Sequence, residues 1–214
     1  WMEPGTGGRG NSVLADGVLE CRRTAPNGAG EERAGMVEFV FMLTRDDRTV
    51  EDCLDILDEV APLGLRHVGF KDVGVDFPVL EELTRRIRAV GATSWLEAVT
   101  PDGPGSLASI ETARRLGVDR IMGGVAAPEA MAALAGIEER YRPFPGRPEG
   151  HPTALGGSPD EIAADCRRFA ELGCGGVDLL AYRAREADPI ALVRAARAAT
   201  EGELVVAGSI DCPE

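Results

Sequence analysis

Three side chains have the types and strand positions that proton chemistry needs. Lys71 ends the run His67-Val68-Gly69-Phe70-Lys71, Glu97 lies in a β-prone stretch at 94–99, and Asp178 in another at 177–182. Side chains alternate faces along a strand. Val68 and Phe70 suit a face covered by helices, which turns His67, Gly69 and Lys71 the other way. The same parity groups Trp95 with Glu97, and Asp178 with Leu180 and Tyr182. A partly desolvated Lys at a strand end can act as a base, form a Schiff base, or stay charged and polarise a carbonyl. The plainer role for Lys71 is an ion pair with Glu97 or Asp72. Glu97 is then either that partner or a second acid–base group. Asp178 is a general base, an anchor for a sugar hydroxyl, or a capped strand end.

A second set of residues suits substrate binding. His151 lies in a Pro-rich loop, and loops at a strand's carboxyl end bring substrate contacts. Arg183 follows the 177–182 strand and can pair with a phosphate or carboxylate. In Val205-Val206-Ala207-Gly208-Ser209-Ile210 a strand runs into Gly-Ser, which frees backbone N–H groups for an anion. Gly208 and Ser209 are therefore the candidate phosphate grip. No redox cofactor is implied and no metal ligand is assigned. Asp72, Glu97 and Asp178 offer hard oxygens of the kind Mg²⁺ takes, but no spacing demands it.

These residues need a frame. From Met36 onward a short apolar run, a polar turn and an amphipathic helix ending at Gly recur. Strands are expected at 37–44, 66–71, 94–99, 120–123, near 141–144, at 177–182 and at 204–207. Helices are expected at 49–63, 77–90, 106–116, 128–134, 158–172 and 189–199. This alternation demands parallel pairing through crossover helices. A uniform repeat, and the lack of a Gly-rich fingerprint after the first strand, favour an α/β fold of the (β/α)8 TIM-barrel type over an open doubly wound sheet. Only seven strands are counted, so the barrel is expected to be truncated after strand 7, without its last strand–helix unit. Unpaired edges would favour self-association, so a homo-oligomer is allowed. Residues 1–35 are Gly- and Arg-rich without an apolar period, and are read as a disordered or artefactual extension. The barrel domain is 36–214.

Composition narrows the partners. The 36 acidic residues against 23 basic ones leave a formal net charge of -13, which disfavours nucleic acid and anionic membrane. No apolar run approaches a membrane span. The five cysteines include no CxxC pair, which argues against zinc or a disulfide framework and for a reducing, cytoplasmic setting.

The rhythm and two phrases resemble the ribulose-phosphate-binding barrel superfamily, which includes histidine-biosynthesis isomerases and sugar-phosphate epimerases. Val206-Ala207-Gly208-Ser209-Ile210 is similar to its first phosphate-gripping loop. Gly69-Phe70-Lys71 is similar to the segment with the catalytic Lys of N-acetylmannosamine-6-phosphate epimerases. The chain departs from the isomerases at Met42-Leu43-Thr44, where they carry an Asp, and from the epimerases at Ala207, where they carry a Glu. The resemblance implies an isomerase, epimerase or aldolase acting on a small phosphorylated sugar or metabolite. Protons would move next to a carbonyl, with Lys71 assisting. A Mg²⁺-dependent lyase or decarboxylase, and a non-catalytic binding subunit with the same fold, are the alternatives.

Overall fold

The computed structural model describes residues 37–100, 102–150 and 152–208. The chain divides into two units, Trp1–Met36 and Val37–Glu214. The expected extension at 1–35 lies outside the described residues.

The first strand is shorter than its apolar run suggests: β1 covers Val40–Met42, then a small hairpin follows, β2 (Thr44–Arg45) with β3 (Arg48–Thr49). Asp46 and Asp47 form its tip at φ 52° and 57°. A two-residue hairpin needs that left-handed pair, and Asp tolerates it. The hairpin uses up residues expected in the first helix, so α1 begins late, at Cys53–Val60. Next come β4 (His67–Lys71), α2 (Phe77–Ala89), β5 (Thr93–Ala98), α3 (Gly103–Leu116), β6 (Arg120–Gly123), α4 (Ala127–Ala133) and β7 (Tyr141–Arg142). The start of α3 precedes the expected residue 106 because Asp102 caps it, accepting from Gly105 N at 2.8 Å, with Pro104 in the first turn.

The Pro-rich stretch holds a second hairpin, β8 (Arg147–Glu149) with β9 (Ala154–Gly156), where a loop was expected. Then α5 (Pro159–Glu171) starts from a capping box between Ser158 and Glu161. The chain continues through β10 (Gly176–Leu179), α6 (Pro189–Ala199) and β11 (Glu203–Val206). Asp188 caps α6 by accepting from Ala191 N at 2.8 Å.

The fold is α/β. Five strands form one parallel sheet in the order β1-β4-β5-β6-β7, and β10 pairs parallel with β11. Two backbone hydrogen bonds join these ladders: Gly175 N donates to Tyr141 O and Asp178 N to Pro143 O, each at 3.0 Å. Among the described residues six α-helices accompany the strands. Val68, Phe70, Leu96, Ile121, Val177 and Leu179 pack with Leu83, Ile87, Ile110 and Phe169 in one buried cluster. Each such side chain contributes about 1.5–3 kcal/mol relative to exposure. That cluster claims one face of the strands and leaves the other to the polar residues.

Candidate functional site

Lys71 ends β4 directly opposite Glu97 in the register. Its side chain is buried, and Nζ donates to Asp47 Oδ1 at 2.8 Å and lies 3.2 Å from Glu97 Oε2. Thr49 fixes the backbone beneath it: the hydroxyl donates to Lys71 O at 2.7 Å and accepts from Lys71 N at 2.9 Å. Thr49 N also donates to Val73 O at 2.8 Å. Gly74 permits this docking, because a β-carbon there would collide with the Thr49 carbonyl oxygen, and its φ is +113°. The Lys71–Glu97 ion pair expected from alternation is therefore present, and Asp72 is not a partner.

Asp47 is the residue that sequence reasoning missed. It is buried at the hairpin tip and accepts from Arg183 through both oxygens, at 3.1 and 3.2 Å, as well as from Lys71. Burial pushes its pKa up, but hydrogen bonds from Arg183 and Lys71 outweigh that and hold it down at about 2. The available signal was the Asp-Asp dipeptide between Thr44-Arg45 and Arg48-Thr49, a hairpin-turn composition directly after a strand. Arg183, expected to meet an anion, meets this one, and also donates to Thr153 O at 3.3 Å. It sits in the 3-10 turn Ala181–Arg183.

Asp178 is wholly buried in β10. Neither of its oxygens has a hydrogen-bond partner among the described residues. Burial first, and the negative charge of Glu97 second, push its pKa well above the ordinary carboxylate range, while Lys71 opposes them in part. A carboxyl in this position favours its neutral form. It can then donate a proton or a hydrogen bond, as the matched environments of catalytic carboxyl pairs do.

The remaining candidates separate. His67, four residues before Lys71 on the same strand, accepts from Trp95 Nε1 at 3.2 Å and is paired with Glu38, so it is a satisfied structural group. Tyr182 was expected on the polar face, but β10 stops at Leu179 and the following turn leaves Tyr182 exposed. Leu180, expected beside it, lies in the helix-side cluster for the same reason. Asp72 accepts from Ser109 Oγ of α3 at 2.7 Å, so it turns away from Glu97 and Asp178. These three carboxylates do not fit a Mg²⁺ ligand set. Among the described residues no group of three or more His, Cys, Asp or Glu is gathered for a metal. Gly208 is buried with φ +126°, and a β-carbon would sit 2.8 Å from Arg183 N. Close backbone approach thus accounts for this glycine. Ser209 and His151 lie outside the described residues. No helix among those described is long and apolar enough to cross a membrane.

Beside the ion cluster lies an open depression of about 490 Å³, lined by Asp46, Asp47, Pro152, Thr153, Ala154, Arg183 and Arg185. Asp47 forms part of its wall. Thr153 is itself buried, and its hydroxyl has no hydrogen-bond partner among the described residues.

No protein-family model matches the chain, and no curated protein matches it. Among solved structures, the U32 peptidase Mk0906 is similar over 84% of this chain and 72% of that one, with 18% sequence identity and a TM-score of 0.47. A match that weak supports neither a fold family nor an activity. These findings overturn the resemblance to the ribulose-phosphate-binding superfamily: no family model and no curated relative supports it. The physical reason lies in the two phrases that carried it. Gly69 makes room for Met42 on the neighbouring strand, and Gly208 for the Tyr182–Arg183 backbone. Packing already calls for a glycine at each point, so neither phrase by itself marks that family.

Proposed function

We propose that the seven parallel strands form the wall of a (β/α)-barrel, and that the Lys71 cluster at their carboxyl ends is the active site of a proton-transfer enzyme. The continuous order β1-β4-β5-β6-β7-β10-β11 supports the barrel, because sequential neighbours with crossover helices are how such a wall grows. One observation carries the chemistry: a buried Lys71 ammonium between two carboxylates, beside a third carboxyl, Asp178, that is buried and unpartnered among the described residues. Structural ion networks satisfy their members, whereas catalytic groups keep a proton position open.

The substrate is a small anionic carbonyl metabolite, with phosphorylated sugars among the candidates. Lys71 would stabilise the charge that develops on the carbonyl oxygen. Glu97 would take the proton from the adjacent carbon, and neutral Asp178 would donate to the oxygen as the enol forms. Returning the proton to either carbon or either face yields isomerisation or epimerisation.

Solvent exchange tests this without knowing the product. In D₂O, the protein should introduce deuterium next to the carbonyl in at least one of a panel of small oxo acids and sugar phosphates, followed by proton NMR. Lys71→Met should slow that exchange by roughly 10²-fold or more. Exchange unaffected by Lys71→Met would overturn the assignment. A non-catalytic subunit would bind without exchange.

A further inference from the structure

Lys71 and Arg183 belong to the frame, one at the end of β4 and the other in the turn after β10. The carboxylate between them does not. Asp47 comes from a two-residue hairpin tip, attached through β2 and β3 and pinned at Thr49. Beyond Thr49 the tip is exposed at Arg45, Asp46 and Arg48, and only Asp47 turns inward. Its two oxygens meet the Arg183 fork at 3.1 and 3.2 Å, the geometry in which Arg takes a free carboxylate. An open depression lies beside it, lined in part by Asp47, Thr153 and Arg183, and the buried Thr153 hydroxyl, which has no hydrogen-bond partner among the described residues, adds a polar contact.

We propose that Lys71 and Arg183 form a subsite for a substrate carboxylate, and that Asp47 is its resting occupant, displaced when the substrate enters. This deepens the proton-transfer reading, on which it rests, by naming the substrate class: a small carbonyl acid whose carboxylate replaces that of Asp47. Displacement leaves the charge count around the two cations unchanged, so the incoming ligand meets the same electrostatic environment as the side chain it expels. The hairpin is then the element that opens, with Thr49 as the fixed point that keeps the Lys71 backbone in register while the tip moves.

Removing the occupant tests the subsite. Asp47→Ala should melt below the unmodified chain, and formate should raise its melting temperature with the logarithmic dose dependence of a single site, by about 3–5 °C at ten times its Kd. Formate should leave the unmodified chain unmoved, since Asp47 fills the site, and should fail on Asp47→Ala/Arg183→Met. If Asp47→Ala does not fold in plain buffer, its refolding yield with and without formate reads the same quantity. Chloride at equal ionic strength controls for screening. No selective formate effect on either readout would overturn the subsite, and inorganic phosphate rescuing better than formate would overturn the carboxylate assignment. Because this is a binding measurement, rescue without deuterium exchange in any substrate would sink the proton-transfer reading and leave the subsite standing.

Discussion

Two layers of the same polar sheet face handle charge in opposite ways. In the lower layer His67 joins Trp95 to Glu38, and Arg142 donates to Glu203 at 2.6 Å while its guanidinium stacks 5.6 Å from the Trp95 ring. The polar groups of these residues are paired. In the upper layer, around Lys71, the residues Asp47, Lys71, Glu97 and Arg183 are paired as well, yet Asp178 is fully buried with both oxygens open among the described residues. An interior that can satisfy its charges below, with the same residue types, has kept one unsatisfied above. Burying a polar group without a partner costs about 1–3 kcal/mol, which is hard to retain without a use. On the proposed reading, the contrast marks the upper layer as the working one and the lower as structural.

Variants at the lower layer sharpen this contrast most. Arg142 is buried, but Glu203 is about 40% exposed, so part of the lost pairing returns to water. Arg142→Met should cost roughly 2 kcal/mol by denaturant melt. Exchange per folded molecule should remain. Loss of exchange at full stability would reverse the roles of the layers.

The pH dependence should differ in sign between Asp47 and Asp178. Asp47 has its pKa lowered to about 2 from the ordinary 3.8, so its contribution is complete above 3.8 and is lost as pH falls through 2. The loss should be roughly 2 kcal/mol. The Asp178 pKa is raised, so its neutral form is favourable at low pH, and stability declines as pH rises above the unfolded value. Stability curves of Asp47→Asn and Asp178→Asn should each flatten one limb, acid for the first and alkaline for the second. Identical limbs in both variants would mean that neither carboxyl is shifted as described.

How much of this was readable beforehand follows from range. Alternation within strands of four to six residues is local, and it placed Lys71, Glu97 and Asp178 on one face and Phe70 and Leu96 on the other. The start of α5 was legible because Ser158, Pro159, Asp160 and Glu161 announce it, whereas α3 begins ahead of the expected residue 106 because Gly103, Pro104 and Gly105 in its first turn look like breakers. Asp47 was out of reach because its partners are distant in sequence: Lys71 is 24 residues on and Arg183 is 136. Nothing local tells a turn Asp that it will be buried. Tyr182 failed for the complementary reason, since β10 ends in a turn stabilised by Arg183 N donating to Leu180 O at 3.0 Å, which no periodicity encodes. The fragments Gly69-Phe70-Lys71 and Ala207-Gly208 misled because a glycine needed for close packing reads like a glycine needed for a ligand.

The protonation state of Asp178 at neutral pH tests the account most directly. Infrared difference spectra of the unmodified chain minus Asp178→Asn should show the C=O stretch of a protonated carboxylic acid at pH 7, shifted by carbon-13 labelling of aspartate. That band should persist well above the pH at which an ordinary aspartate ionises. Asp178→Asn should also abolish deuterium exchange while folding at least as stably as the unmodified chain at pH 7. A carboxylate band from Asp178 at pH 7, with no acid band, would show that its charge is satisfied after all and would contradict the assignment of the upper layer as the active site.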